Sequence, residues 1–221
     1  MKKIKLVAFS LASLSTLACA SFAMTTDIKL GDKGIQLVQT QAVAKNVRND
    51  KTRRVTSGIG GSWGSWSRPV YCPSGSYAAG YTMRVEPSIG RGDDTALNAI
   101  ALYCRYPNGR YAGRVSPHPG HWGSWREGVS CRGRGNFLTH FQLKVERYQR
   151  SGDDTAANSV AFWCSRGKRI EGNGGGWGRW GKWKGGYYKS AICGVAAKVE
   201  PPQGSGDDTA LNDLEFTWCR L

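Results

Sequence analysis

After residue 23, this 221-residue sequence contains no apolar run long enough to cross a membrane as a helix. It also contains no nucleic-acid-binding motif, so we expect no nucleic-acid partner. The three histidines, at positions 118, 121 and 140, lack the spacing of metal ligands, and no Ser/His/Asp arrangement of a hydrolase can be read from the sequence. We therefore expect no transmembrane segment, no metal site and no cofactor.

Acidic side chains are also few, because 16 Asp and Glu stand against 31 Lys and Arg. The first 23 residues predict a signal peptide: lysines at positions 2, 3 and 5 precede a short apolar run and then small residues with A-x-A-like spacing. Its brevity and lysine content favour a bacterial source. Without these residues, 28 basic and 16 acidic side chains leave a net charge of about +12. This charge favours anionic partners, and for an exported chain these are cell-surface polymers.

Seven cysteines are present, one of them in the leader. Leu17-Ala18-Cys19 weakly resembles a lipoprotein cleavage site, so a lipid anchor on Cys19 is the alternative to a free secreted or periplasmic protein. The six remaining cysteines are an even number in an oxidising compartment, which predicts disulfides rather than metal ligands or catalytic thiols.

Three copies of one sequence unit account for most of the chain. Each unit opens with a Trp-Gly-x-Trp motif, continues through a Val-Glu pair, and closes with Gly-Asp-Asp-Thr-Ala, an apolar run and a cysteine. The opening motifs are GSWGSW at 61–66, GHWGSW at 120–125 and GGWGRW at 175–180, and the closing segments are GDDTALNAIALYC at 92–104, GDDTAANSVAFWC at 152–164 and GDDTALNDLEFTWC at 206–219. The units therefore lie at about 61–116, 120–171 and 175–221.

Each unit divides into strand-like pieces. The residues before the Val-Glu pair and after the Gly-Asp-Asp loop alternate in polarity, which is typical of half-buried strands joined in a hairpin. In the third unit Asp213 and Glu215 alternate with Leu214 and Phe216, so we expect the face with the acids to meet water. The tryptophan motif supplies a third strand and the segment before it a fourth. Because the chain ends soon after the last cysteine, residues 53–57 are expected to complete the third sheet.

These strands predict an all-β domain at 53–221, with twelve strands in three four-stranded sheets about a pseudo-threefold axis. A β-trefoil, which has the same symmetry and strand number, is the alternative. Residues 24–52 are expected to form a polar arm, with only a hint of helical spacing at Ile35, Val38 and Ala42.

Disulfide pairing within units gives the most symmetric connectivity, namely Cys72–Cys104, Cys131–Cys164 and Cys193–Cys219. The third copy departs from the pattern. Thr217 is an insertion that moves Cys219 to the other face of its strand unless a bulge absorbs it.

The tryptophan motif, the Val-Glu strand end and the GDDTALN segment (GDDTAAN in the second copy), repeated in three units, resemble the vitelline membrane outer layer protein I family. The resemblance covers about residues 53–221. It implies a β-prism of three four-stranded Greek-key sheets, extracellular residence, and kinship in fold with jacalin-like lectins. Members of the family in egg coats are structural components, and transferase-like activity on N-acetylglucosamine oligomers has been attributed to the family.

Nine acids recur at one end of the expected sheets: Glu86, Asp93, Asp94, Glu146, Asp153, Asp154, Glu200, Asp207 and Asp208. They are candidates for catalytic carboxylate pairs or for calcium ligands. The simpler interpretation is turn chemistry, with each Asp capping a tight turn and each Glu pairing with a nearby base. Repetition favours turn chemistry, since a catalytic centre needs a single asymmetric constellation.

Two further sets of recurring residues are expected to be structural. Buried asparagines need hydrogen-bond partners, and Asn98, Asn158 and Asn212 are expected to be internal pegs that tie sheets together. Trp63, Trp122 and Trp177 recur once per unit and are expected to fill the core. By contrast, Trp183, Tyr187 and Tyr188 are unrepeated and lie in a basic, glycine-rich stretch at 172–189, which makes them the candidate ligand-binding surface.

The sequence thus predicts an exported, non-catalytic module that binds glycans or anionic cell-envelope surfaces, or that serves as a structural surface protein. One alternative is a carbohydrate-active enzyme that uses the repeated carboxylates for glycosyl transfer or hydrolysis on N-acetylglucosamine oligomers. Another is a module that targets a membrane-active partner.

Overall fold

A computed structural model of the chain describes residues 26–31, 34–39, 48–87, 95–147, 156–202 and 210–221. In these residues the secondary structure consists of strands, numbered β1 to β17, and includes no helix. The chain divides into two compact units, Met1–Asn46 and Val47–Leu221.

The first unit contains an antiparallel hairpin of β1 (Thr26–Gly31) and β2 (Gly34–Gln39). The helical spacing suggested for Ile35 and Val38 is therefore wrong, because both residues lie in β2. The antiparallel register, in which Gly31 pairs with Gly34, is typical of a β-hairpin. Ala42 lies outside the described residues.

Three antiparallel sheets make up the second unit. The first sheet contains β6 (Tyr77–Val85), β7 (Leu97–Arg105), β8 (Tyr111–Val115), β9 (Ser124–Trp125) and β10 (Val129–Ser130). The second contains β11 (Leu138–Val145), β12 (Ala157–Cys164), β13 (Arg169–Glu171), β14 (Arg179–Trp180) and β15 (Lys184–Gly185). The third contains β16 (Ser190–Val199), β17 (Leu211–Arg220), β3 (Lys51–Thr56), β4 (Ser65–Trp66) and β5 (Val70–Tyr71).

In each sheet the two shortest strands are parts of one interrupted strand. Both β9 and β10 pair with β6, both β14 and β15 pair with β11, and both β4 and β5 pair with β16. Each sheet is therefore four-stranded, and the expected all-β architecture of three such sheets is confirmed.

The sheets do not coincide with the sequence units. Each tryptophan motif pairs with the strands of the preceding unit, so β9 belongs to the first sheet although it opens the second unit. The third sheet is consequently completed by β3 together with β4 and β5, rather than by residues 53–57 alone. As a result, every sheet pairs strands from more than one sequence unit.

The shared interior is filled by the apolar face of the long strands. One buried aromatic from each sheet meets the next, since the ring centroids of Tyr81 and Phe162 are 4.6 Å apart and those of Phe162 and Phe216 are 5.2 Å apart. Tyr81 also donates a hydrogen bond from its hydroxyl to the Val160 carbonyl at 2.6 Å, which satisfies this polar atom inside the core.

The opposite face of these strands is covered, contrary to the expectation that it meets water. Asp213 is only 8% exposed and Ala101 is fully buried. The loops that lead into the tryptophan motifs cross this face at glycines: a Cβ on Gly60 would lie 2.3 Å from the Asp213 Cβ. Burial raises the pKa of the Asp213 carboxyl above its usual value of 3.8.

The three expected disulfides are present, but the third has a different structural role. Cys72, next to β5 of the third sheet, bonds to Cys104 in β7 of the first, and Cys131–Cys164 joins the first sheet to the second in the same way. Cys193 and Cys219 instead lie on adjacent strands of one sheet, β16 and β17.

The inserted Thr217 explains this difference. Because of the insertion, Trp218 pairs with Ile192 in the third sheet. The equivalent pair in the first sheet is Cys104 and Ala78, so Trp218 occupies the position of a disulfide cysteine. The buried Trp218 packs edge-on against Tyr187 with the ring centroids 5.1 Å apart. An aromatic contact therefore replaces the disulfide at the junction of the second and third sheets.

Candidate functional site

Tryptophans of the repeated motif lie on the surface, and the expectation that Trp63, Trp122 and Trp177 fill the core is wrong. Their exposed fractions are 57%, 45% and 58%. The glycine of each motif causes this arrangement. Gly64 has a φ of +80°, and a Cβ there would lie 2.4 Å from the Val199 carbonyl carbon. The turn therefore meets the strand through its glycine, and the indoles are left outside.

Two of the tryptophan turns are each held by a buried asparagine. The Asn98 Oδ1 accepts a hydrogen bond from the Trp122 N–H at 3.0 Å, and its Nδ2 donates to the Thr95 Oγ1 at 2.6 Å. In the second sheet the Asn158 Oδ1 accepts from the Trp177 N–H at 3.2 Å. These asparagines and Asn212 are fully buried. Asn98 and Asn158 thus fix a tryptophan turn to a strand of the same sheet, rather than joining two sheets.

A basic side chain holds the same turn from the neighbouring strand. The Arg84 guanidinium donates to the carbonyls of Gly120, His121 and Gly123 at 3.1, 2.8 and 2.9 Å. In the third sheet the Lys198 ammonium donates to the Ser62 carbonyl at 2.6 Å. The Trp122 turn is therefore fixed by both a buried amide and a cation. The Trp63 turn is fixed by the Lys198 ammonium and by a backbone hydrogen bond from the Gly61 N–H to the Asn212 carbonyl at 2.9 Å.

The recurring glutamates are part of the strand ends. The Thr95 hydroxyl donates to the Glu86 Oε2 at 2.6 Å, so this carboxylate bonds a hydroxyl where we expected a base. The six aspartates at 93, 94, 153, 154, 207 and 208 lie outside the described residues. Within the described part of the chain, no group of three or more His, Cys, Asp or Glu residues could hold a metal ion.

Two adjoining cavities, of about 470 and 210 Å³, form a groove between the tryptophan turns of the second and third sheets. We call it the tryptophan groove. Trp63 lies at one end and Trp180 at the other, and Ile59, Val145 and Arg147 line both cavities.

Ile59 distinguishes this groove from the other junctions between turns. It is 39% exposed and stands where the other units have His118 and Asn173. Its Cδ1 lies 2.5 Å from where a Cβ on Gly181 would be, so it packs directly on the backbone of the neighbouring turn.

The charge of the groove is mainly positive. Its cations are Arg147, Arg179, Lys182 and Lys184, and Glu146 is its acidic residue. The groove therefore offers two aromatic surfaces, one apolar side chain between them and an excess of donors for anionic groups.

The surface expected at 172–189 is divided between two places. The Trp183 ring lies 5.6 Å from the Trp163 ring, beside His140, whose pKa is lowered by burial. Tyr187, which is partly buried against Trp218, and Tyr188, which is 85% exposed, both line a separate cavity. These three candidate residues therefore do not form one site.

Comparison with known families agrees with the sequence resemblance. The model of the family described as vitelline membrane outer layer protein I matches residues 53–221. This chain belongs to the vitelline membrane outer layer protein I family. The human vitelline membrane outer layer protein 1 homolog is 45% identical over 177 residues, covering 78% of this chain and 86% of the human protein. The mouse homolog is 44% identical over 162 residues, covering 72% and 80%.

Both relatives are mammalian, so they give no support to a bacterial source for this chain. Among solved structures, Calsepa lectin in complex with a biantennary N-glycan matches with a TM-score of 0.50 at 13% sequence identity, covering 77% of this chain and 99% of the lectin. The likeness concerns the fold alone and supports the β-prism architecture.

Proposed function

We propose that this chain is an exported, non-catalytic module that binds glycans or anionic cell-envelope polymers and serves as a structural component of an extracellular layer. The observation that carries the proposal is the tryptophan groove, which has the exposed Trp63 indole at one end and the half-buried Trp180 indole at the other. Backbone hydrogen bonds from Gly61 and Gly181 hold the segments that carry them. Large aromatic side chains in the open on a rigid backbone are typical of binding surfaces.

The chemistry of the groove suits sugars. The apolar C–H face of a pyranose packs on an indole, and the backbone that carries Trp63 loses little freedom on binding because it is already fixed. Arg147, Arg179 and Lys182 can donate charge-assisted hydrogen bonds to carboxylate, sulfate or phosphate groups on the same ligand. Neutral sugars would bind through the indoles alone, and anionic sugars through both the indoles and the cationic side chains.

A non-catalytic role is favoured by the way the motif is built. The same glutamate, asparagine and tryptophan turn recur in three sheets, and the Glu86 carboxylate accepts a hydrogen bond from the neighbouring Thr95 hydroxyl. Such a device is needed once per sheet, whereas a catalytic centre is needed once per molecule. Export is supported by the basic and apolar leader at 1–23 and by the three disulfides.

The proposal is tested by screening the oxidised chain on a glycan array that contains N-acetylglucosamine oligomers and uronic-acid oligosaccharides. The strongest ligand is then titrated calorimetrically into the wild type and into Trp63→Ala, Trp180→Ala and Trp122→Ala. We expect each groove substitution to weaken binding on the order of tenfold or more, which corresponds to about 1.4 kcal/mol for one lost stacking surface.

Trp122→Ala is the matched control, because Trp122 stands on an equivalent turn and is 45% exposed, but lies outside the groove. It should change the affinity by less than about twofold. If all three variants bind alike, or if no glycan binds the wild type, the tryptophan groove is not a glycan site. Turnover of the bound oligosaccharide by the wild type would contradict the non-catalytic part of the proposal.

A further inference from the structure

A second cavity, of about 600 Å³, lies at the opposite end of the first sheet from its tryptophan turn. It is formed by the β7–β8 turn at 106–110 and by the loop at 131–136 that follows β10. Arg105, at this end of β7, stands opposite Tyr77, whereas Trp125 stands opposite Arg84 at the other end of β6. Seven residues of strand, about 23 Å, separate the two positions. We call this cavity the basal arginine cleft.

Three arginines line the basal arginine cleft: Arg105, Arg110 and Arg134. The Arg110 guanidinium lies 4.2 Å from the centroid of the Tyr106 ring, which orients it. The Arg134 stem crosses the β7–β8 turn at Gly109, where a Cβ would lie 2.9 Å from the Arg134 Cγ. Close packing of these two loops therefore brings the arginines together.

The positive charge continues onto the second sheet. The Arg166 Nη2 donates to the Arg134 carbonyl at 2.8 Å, which holds the β12–β13 turn beside the cleft. Lys168 on that turn and Arg132 on the cleft loop are also exposed. Together these side chains make a band of cations wider than a single ligand group.

Acidic side chains are few among the described residues at this end of the two sheets: Asp50, near Tyr77, is paired with Arg48. The sequence contains no Asp or Glu at 95–126, 128–145 or 156–170. Among the described residues the ion pairs are Arg48–Asp50, Arg54–Glu215 and Arg169–Glu171, and none of them uses a cation of the cleft or its band. Because like charges repel, such a cluster lowers the stability of the folded protein unless a bound anion neutralises it.

We propose that the basal arginine cleft binds the sulfate or carboxylate groups of an anionic polysaccharide. Guanidinium groups bind such planar or tetrahedral anions through paired hydrogen bonds, and the band of cations can follow a chain that carries repeated charges. The loops at 106–110 and 131–136 include no exposed large apolar side chain to insert into a bilayer, which favours a polymer over a lipid surface. This site goes beyond the tryptophan groove and does not depend on it.

The test uses Arg110→Gln/Arg134→Gln and measures calorimetrically the binding of two probes of defined length, a heparin oligosaccharide and a polygalacturonate oligosaccharide. The matched control is Arg53→Gln/Arg68→Gln, which removes the same charge from two exposed arginines of the third sheet. At 50 mM NaCl we expect the cleft variant to lose on the order of tenfold or more in affinity, and the control less than about threefold.

Binding of either probe by the wild type, weakened by salt and by the cleft variant, supports the proposal, and the preferred probe identifies sulfate or carboxylate as the recognised group. Equal loss in the two double variants would show that net charge alone attracts the polymer and would overturn it. Failure of both probes to bind at 50 mM NaCl, or binding to anionic vesicles only, would also overturn it. Trp63→Ala should leave this binding unchanged, so the result is separable from that of the tryptophan groove.

Discussion

Replacing Asn98 with alanine tests how the tryptophan turns are fixed. The side chain is fully buried, accepts a hydrogen bond from the Trp122 N–H, and donates to the Thr95 Oγ1 and to the Ala96 carbonyl. Asn98→Ala removes all of these bonds and leaves the buried Ala96 carbonyl without one of its donors. At about 0.5–1.5 kcal/mol for each bond, the free energy of unfolding should fall by about 2–4 kcal/mol.

A chain of this size loses about 2–4 °C in Tm for each kcal/mol, so we expect Asn98→Ala to lower the Tm by about 5–15 °C. Calorimetry and urea unfolding measure the loss, with the disulfides kept oxidised. Asn108→Ala is the matched control, because the Asn108 Oδ1 also accepts a backbone N–H, that of Arg110 at 3.0 Å, but in an exposed turn. Asn108→Ala should lower the free energy of unfolding by less than about 0.5 kcal/mol. Equal losses in the two variants would refute the view that the buried amide fixes the turn.

Three further outcomes follow from the packing and the charges. Gly64→Ala should lower the free energy of unfolding by at least about 2 kcal/mol, because Gly64 has a φ of +80° and a Cβ would lie 2.4 Å from backbone atoms. Gly176→Ala is the control and should leave the free energy of unfolding unchanged, because a Cβ there would meet nothing within 4 Å. An unchanged free energy for Gly64→Ala in chemical unfolding would contradict the described turn. Replacing Cys131 and Cys164 with serine should lower the free energy of unfolding by about 3–4 kcal/mol, because the bond closes a 33-residue separation; a loss below about 1 kcal/mol would be inconsistent with a bond that joins two sheets. Burial raises the pKa of Asp213 above 3.8, so the folded state binds this proton more tightly than the unfolded state, and the wild type loses stability as the pH rises above 3.8. Asp213→Asn should therefore become more stable relative to the wild type as the pH is raised from 3 to 7. A relative loss of stability over this range would contradict the raised pKa.

The fold could be predicted because the repeated motif carries its own information about strands. Period-two alternation at positions such as Ile100 and Leu102 fixes which side of a strand meets the core, and three copies imply three sheets. The same alternation did not show that the opposite face is covered. The loops that cover it are rich in glycine, serine and proline, whose close approach to residues such as Asp213 leaves no periodic apolar pattern in the sequence.

The candidate site was harder to predict, because a tryptophan in a short motif has no periodicity to place it. The recurrence of Trp63 predicts a core residue, yet the positive φ of Gly64 turns the motif so that the indole stays outside. The glycine between the tryptophans was the available signal. The basal arginine cleft has no signal in the sequence for another reason: Arg105 and Arg134 are 29 positions apart and come together because β10 pairs with β6.

The most direct test of the tryptophan groove is a heteronuclear NMR titration of the indole Nε1–H signals of the nine tryptophans with the best oligosaccharide from the array. We expect the signals of Trp63 and Trp180 to shift with the same dissociation constant, while that of Trp218, whose Nε1 donates to the Thr139 carbonyl, stays in place. Shifts centred on Trp122 and Trp125, or on Trp163 and Trp183, with none at Trp63 and Trp180, would contradict it.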